Sequence, residues 1–206
     1  MSLDRDLEFL YEIGTLRYIP RMWQRFLRID GDNLAEHHLR VAWTALFIAK
    51  HEKITNTDKI LKMALIHDIA ESRTGDVDYL SRQYVIRNED LGFEDMTQGT
   101  ALADELRELH AEYEKRESVE SKIVKDADNL TVDFEIREQG FRGAAITKHP
   151  DWLAQRKTLR EDFLFTKTAK RISDAIHRSD PHDWHLKGRN RYNAGDWKKE
   201  GPAERS

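Results

Sequence analysis

Apolar positions recur at helical intervals along most of the chain. Leu7, Leu10, Tyr11 and Ile13 open the pattern and predict a helix over residues 7–16, with Pro20 marking a break. The strongest stripe follows: Leu34, Val41, Ala45 and Ile48, flanked by Ala42, Leu46 and Ala49, predict a helix over 33–51 with Asp32 or Asn33 as its N-cap. Ile60, Leu61, Ala64, Leu65 and Ile69 predict a third helix, capped by Thr57 or Asp58 and stopped near Gly75. Residues 74–99 are rich in charge and lose the period, so they read as a loop with one short helix over 79–86. Helices are predicted again over 100–116 and 118–139, the latter with Ile123, Ala127, Leu130 and Phe134 on one face and Gly140 and Gly143 at its end. A last helical stretch spans 152–179 with a break on the way. Beyond Pro181 the chain turns polar. No alternating strand and no internal repeat appears. The expectation is an all-α helical bundle over 1–180, followed by a largely non-helical C-terminal arm over 181–206.

Composition narrows the classes. Hydrophobic residues make up 39% of the 206 positions and charged ones 35%, a mix suited to a globular protein with amphipathic helices. No apolar run reaches the roughly 20 residues that cross a bilayer. The opening residues Met1 to Asp6 mix charges and lack the order of a secretory signal. Cysteine is absent, which excludes disulfides, thiolate nucleophiles and sulfur-rich zinc sites and fits a cytoplasmic protein. A net charge of −4 does not predict nucleic-acid binding. The aromatics of the arm, Trp184 and Trp197, stand among both basic and acidic residues, and the arm is expected to pack across the domain or a partner subunit.

Three segments place metal-type residues inside apolar helices: Glu36-His37-His38, His67-Asp68 with Glu71, and Lys125-Asp126-Ala127-Asp128. Imidazole and carboxylate suit divalent transition metals. A single His-Asp pair is weak evidence, because nine histidines among 38 acidic residues create such neighbours by chance. Taken alone, His67 reads equally as a satisfied buried histidine, and Glu71 as an exposed acid at a helix end. Helical spacing nevertheless puts Glu71 on the surface that carries His67 and Asp68, where a general acid or base is needed. His37 lies on the core side of its helix and needs a partner there. Asp128, at the edge of its stripe, needs a cation, which either a metal or a lysine supplies.

His37, His67-Asp68 and Asp128, in this order on separate helices, resemble the HD-domain metal-dependent phosphohydrolases. Three runs extend the match: Asn33-Leu-Ala-Glu-His37, His67-Asp-Ile-Ala-Glu71 followed by Gly75-Asp76, and Lys122-Ile-Val-Lys-Asp-Ala-Asp128-Asn-Leu. These are similar to the YfbR-type 5′-deoxynucleotidases, and the resemblance covers residues 18–134. It implies His37, His67, Asp68 and Asp128 as metal ligands, and Glu71 and Asp76 as the acidic pair that handles the attacking water and the leaving group. Arg21 and Trp23 stand where relatives carry nucleotide-binding residues, though either also reads as packing, and Asp76 also reads as a turn residue. The implied cofactor is one divalent ion; the mixed nitrogen and oxygen donors favour Mn²⁺, Co²⁺, Fe²⁺ or Zn²⁺ over calcium, with Mg²⁺ also admitted.

The implied reaction removes the 5′-phosphate from a nucleoside monophosphate, preferably a deoxynucleotide, in a homodimer. A different nucleotide substrate (triphosphate, cyclic nucleotide or pyrophosphate) is the first alternative. It is disfavoured because polyphosphates need several cations, and only Arg21 has positional support while Lys125 reads equally as a surface residue. A helical scaffold without catalysis is the second. Glu112 and Glu114 read as a solvated face rather than a pocket wall.

Overall fold

The computed structural model describes residues 3–27 and 31–187. Among them are eleven α-helices and no strand; the one β-type pairing is an isolated bridge between Pro20 and Asn33. No described helix is long and apolar enough to cross a membrane. Helix α1 (Leu3–Ile13) runs into a 3₁₀ turn (Gly14–Tyr18), and α2 (Trp23–Leu27) follows the break at Pro20. The centre is built from α3 (Leu34–His51), α4 (Thr57–Ile66) and α8 (Val119–Phe141), with α3 packed most extensively on the other two. Helices α7 (Ala103–Lys115) and α10 (Lys167–Arg178) cover this centre.

The predicted stripe of α3 is the spine of the core: Leu34, Val41, Ala45 and Ile48 are fully buried, against Ile60 and Met63 of α4 and Ile123, Ala127 and Leu130 of α8. Burying each large aliphatic side chain contributes about 1.5–3 kcal/mol. A capping box starts α3. Asn33 Oδ1 accepts from the Glu36 N–H at 3.1 Å, and Glu36 Oε2 accepts from the Asn33 N–H at 3.0 Å. Substituting Asn33 by Ala costs about 1 kcal/mol and loosens the turn that carries His37. Ser118 caps α8 in the same way, its Oγ accepting from the Ser121 N–H.

Several predicted boundaries differ. Neither Thr57 nor Asp58 caps α4; Asn56 holds that position and makes no side-chain cap bond. The apolar period continues to Ile69, but α4 stops at Ile66, and the chain turns tightly into a four-residue helix, α5 (Glu71–Thr74). Within 74–99 the expected helix over 79–86 shrinks to a 3₁₀ turn at Ser81–Gln83, and an unpredicted helix, α6 (Glu89–Thr97), buries Phe93 and Met96. Its acid-rich first turn and its glycine hide two anchors that hold it to the core. The last helical stretch is broken: α9 (Pro150–Thr158) leads through a π-helical turn (Leu159–Phe163) to α10, and Asp126 fixes the break by accepting from the backbone N–H groups of Phe165 and Thr166. The arm begins with one helical turn, α11 (Asp183–Leu186), where none was expected; the rest of it, including Trp197, lies outside the described residues.

Candidate metal centre and catalytic cleft

Three core helices deliver four ligand-type side chains to one point. His37 sits in the first turn of α3, His67 caps the C-terminus of α4 with Asp68 after it, and Asp128 lies on α8. One donor atom from each lies within 4.8 Å of all the others. The imidazole Nε2 atoms are 3.2 Å apart. His37 Nε2 is 3.3 Å from Asp128 Oδ1 and 3.8 Å from Asp68 Oδ2, and His67 Nε2 is 3.4 Å from the same Asp68 oxygen.

The opposite ring nitrogens settle what these atoms offer. His67 Nδ1–H donates to the Ala64 carbonyl at 2.8 Å. His37 Nδ1 lies 3.0 Å from Thr131 Oγ1, whose own proton goes to the Asp128 carbonyl at 2.7 Å, so the imidazole is the donor. When both rings are neutral, as ligation of a metal requires, their Nε2 lone pairs therefore point into the space that the two carboxylates face. Acceptors turned on acceptors in a buried place call for a cation. Burial and the Arg21 charge push the His37 imidazole down, yet Asp128, Asp68 and Glu135 outweigh them and lift it to about 10, so that without an ion a proton on His37 answers the carboxylates and a bound cation would displace it. Burial raises the two carboxyls, but His67 and His37 hold Asp68 well below its usual range, and Lys125 and His37 do the same for Asp128. The four side chains fit a divalent ion, with two nitrogens, two oxygens and open positions left over. His38 is buried beside them, but its Nδ1–H donates to the Leu34 carbonyl at 2.7 Å and it stays outside the set.

Glu71 is not on a helix surface shared with His67 and Asp68. The turn between α4 and α5 is closed by i→i+3 bonds, Glu71 N–H to Asp68 O and Ser72 N–H to Ile69 O, both 3.0 Å. In 3₁₀ geometry i and i+3 eclipse, so the tighter turn still brings the Asp68 and Glu71 side chains together. Burial, Asp68 and Asp76 push the Glu71 carboxyl up to about 9 against the pull of Arg21 and Arg87. A divalent ion on Asp68 would offset that neighbour's charge and lower the Glu71 value. Glu71 Oε1 accepts from Arg87 at 3.1 Å, while Oε2 is buried with no partner. Gly75, at φ 75°, turns the chain in a way that favours glycine and presents Asp76. Asp76 Oδ2 accepts from Arg21 Nη1 at 2.7 Å and from the Met22 N–H at 3.0 Å.

These groups line a cleft of about 510 Å³. Arg21, His67, Asp68, Glu71, Asp76 and Asp128 are in its wall, with His37 buried behind. Trp23 is not brought there. It is buried edge-on to Trp152, ring centroids 5.1 Å apart, in a small apolar cluster with Ile136. Glu114 stands on the solvated face, as expected, and also borders the mouth of the cleft, whereas Glu112 is tied to Lys59 at 2.6 Å elsewhere. Lys125 lies in the wall, its ammonium 2.7 Å from Asp128 Oδ2.

Sequence reasoning missed three further cations, Arg82, Arg87 and Arg116, because they come from loops and a left-handed helix end without period or motif. It also missed Glu135, whose Oε1 lies 3.7 Å from His37 Nδ1 and 3.5 Å from Arg21 Nε. Glu135 follows Asp128 by seven residues, two helical turns, and that spacing was the available signal. With five cations in the wall, lack of positive charge no longer argues against a polyphosphate by itself. The wall also carries seven carboxyl groups, six of them ionised when Glu71 is protonated, so its own balance is still negative.

Comparison with known proteins agrees with this geometry. A profile of the HD domain family matches residues 13–148. The bovine (Bos taurus) protein 5′-deoxynucleotidase HDDC2 is 33% identical over 138 residues, which cover 64% of this chain and 66% of that protein. The zebrafish (Danio rerio) protein of the same name is 31% identical over 182 residues, covering 78% of this chain and 88% of that one. Among solved structures, a conserved hypothetical protein from Pyrococcus furiosus superposes with a TM-score of 0.67 at 25% identity, over 86% of this chain and all of its own. The chain belongs to the HD-domain family, in the branch of the 5′-deoxynucleotidases.

Proposed function

We propose that this protein is a metal-dependent phosphohydrolase that removes the 5′-phosphate from deoxynucleoside monophosphates. One observation carries the reading: four acceptor atoms within 4.8 Å of one another, with a carboxyl pushed up to about 9 beside them. His37, His67, Asp68 and Asp128 would hold a divalent ion, which would supply Lewis acidity and counter-charge for the phosphate. Glu71, protonated by its surroundings, donates a proton to the 5′-oxygen as the P–O bond breaks. Asp76, fixed by Arg21 and the Met22 N–H, orients the attacking water and accepts its proton. Lys125 and Arg21 neutralise phosphate oxygens.

Charge balance supports the monophosphate over a triphosphate. With Glu71 protonated, six carboxylates in the cleft wall face five cations, and a divalent ion would bring the wall to a net charge of about +1. A monophosphate would then leave the cleft about one charge negative and a triphosphate about three, with no further cation among the described wall residues to meet them. The ion is Mn²⁺, Co²⁺, Fe²⁺ or Zn²⁺ in this reading, with Mg²⁺ as the harder alternative. The working form is a homodimer, supported by Leu39, Trp43 and Phe47, an i, i+4, i+8 row on α3 that is 58–62% exposed. Phosphate release from a panel of deoxynucleoside and ribonucleoside mono- and triphosphates, with each metal or with chelator, tests the assignment. Activity confined to triphosphates overturns it, and a monomeric protein by sedimentation overturns the dimer.

A further inference from the structure

A second cavity, of about 560 Å³, lies on the far side of α8 from the metal ligands, between the C-terminal half of that helix, α9 and the turn that precedes it. Its floor is apolar: Ile136 and Trp152 are buried there, and Phe141 and Leu153 stand half-exposed at its edge. Its rim is basic. The one carboxylate in its lining, Asp133, is consumed by Arg156 Nε at 2.6 Å and Ser173 Oγ at 3.1 Å. Arg160 is likewise paired, with Asp174. Three cations remain without a carboxylate partner among the described residues: Arg137, Lys148 and Lys157.

Arg137 is not a loose surface residue. Its Nε and Nη2 both donate to the Ser179 carbonyl, at 2.9 and 2.6 Å, and its guanidinium lies 4.9 Å from the Phe141 ring centroid. The fork is held in place on an aromatic face, with its charge unanswered. Lys148 is brought to the rim by the 3₁₀ turn Ala145–Lys148, which packs so closely on α8 that a Cβ at Gly140 would sit 3.0 Å from Thr147 Oγ1. Glycine inside a helix costs about 1 kcal/mol relative to alanine, and here it permits that approach.

An apolar floor large enough for a planar ring, bordered by three unanswered cations in a chain of net charge −4, selects an organic anion. We propose that this cavity is a second ligand site, separate from the metal cleft, that takes a nucleotide: the ring on the Trp152–Phe141 floor and the phosphates against Arg137, Lys148 and Lys157. Trp23 meets Trp152 edge-on at 5.1 Å, so the floor and the segment that carries Arg21 are in contact.

ATP is the probe, titrated by tryptophan fluorescence in the presence of chelator, so that no turnover intervenes. Charge reversal at two exposed residues, Lys148→Glu with Lys157→Glu, is expected to weaken ATP binding at least tenfold, and Phe141→Ala at least threefold. Arg82→Glu, in the metal cleft, is expected to leave it within twofold. Adenosine, without charge, and tripolyphosphate, without a ring, are each expected to bind at least tenfold more weakly than ATP. The proposal is overturned if ATP does not bind, if the double lysine variant binds as the parent does, if Arg82→Glu is the damaging change, or if tripolyphosphate matches ATP. Metal-dependent phosphate release by the double lysine variant, measured without ATP, is expected to equal the parent's, so failure at this site and failure of the cleft assignment are read separately.

Discussion

Two buried clusters of charge sit five residues apart on α8. Around Asp133 every demand is met: the side chain is 1% exposed, Arg156 and Ser173 hold its two oxygens, and Arg156 closes its other side on the Asn129 carbonyl at 2.9 Å. Around Asp128 the side chain is 13% exposed, and the neighbours include two imidazoles whose lone pairs face the same space as the carboxylates. Burial alone would have chosen the first cluster as the site. What separates them is unanswered valence: one cluster is closed by protein groups, the other is open to a cation. Asp126 makes the same point at closer range, since it lies two residues from Asp128 and is satisfied by the backbone at 165–166.

The largest expected effect comes from breaking the open cluster. Asp68→Ala should reduce both bound metal and phosphate release to background, measured by metal analysis and turnover on the same preparation. An active, metal-free Asp68→Ala protein would remove the distinction between the clusters. Glu71→Gln keeps the four proposed ligands but removes the proposed proton donor, so turnover should fall about 10²–10⁴-fold with metal content unchanged. Full activity in that variant would show that the raised carboxyl has no part in proton transfer.

The closed cluster should respond in stability and not in chemistry. Arg156→Met leaves Asp133 buried without its counter-ion and is expected to cost about 3–5 kcal/mol, whereas Asp133→Leu combined with Arg156→Met should recover most of that loss. Urea denaturation of the three proteins checks this; a single variant as stable as the parent would mean that the pair was never a closed unit. The two clusters also differ in how far the sequence disclosed them. The stripe of α3, its capping box and the face of α8 follow from apolar spacing and a handful of capping residues, so the helices that carry His37 and Asp128 were legible. The candidate ligands of the open cluster were legible because their order along the chain resembles a family pattern. Arg87, Arg116 and Glu135 were not, because their place depends on where loops and a left-handed residue at 116 bring them. The end of α4 was misplaced for a related reason. Ile69 keeps the helical period and is fully buried, and nothing in that period records a switch to i→i+3 bonding. Trp23 is the converse case: its spacing allowed both a nucleotide contact and packing, and the structure places it against Trp152, away from the cleft.

His38 gives the smallest effect, absent at neutral pH, and the finest test of where the open cluster ends. Its ring lies 4.6 Å from that of His67, yet it donates to a backbone carbonyl and joins no carboxylate. Burial first, then the neighbouring His67 and His37, push its pKa down to about 3. The unfolded chain takes up this proton near the ordinary histidine value of about 6.5 and the folded chain does so only near 3, so between these values the unfolded state binds more protons. Stability is therefore intact above about pH 6.5 and falls as pH drops toward 3, by on the order of 1.4 kcal/mol per pH unit for one such group. His38→Gln replaces the titrating ring with a neutral side chain that has an N–H to offer the Leu34 carbonyl. Urea midpoints of the metal-free parent and variant between pH 4 and 8 should coincide in slope above pH 6.5 and diverge below it, with the variant shallower by about one proton. Taking the difference cancels the titration of His37, His67 and Asp68, which both proteins share. Parallel curves across the whole range would mean that His38 shares the protons of the open cluster, and its boundary would then have to be drawn to include a fifth side chain.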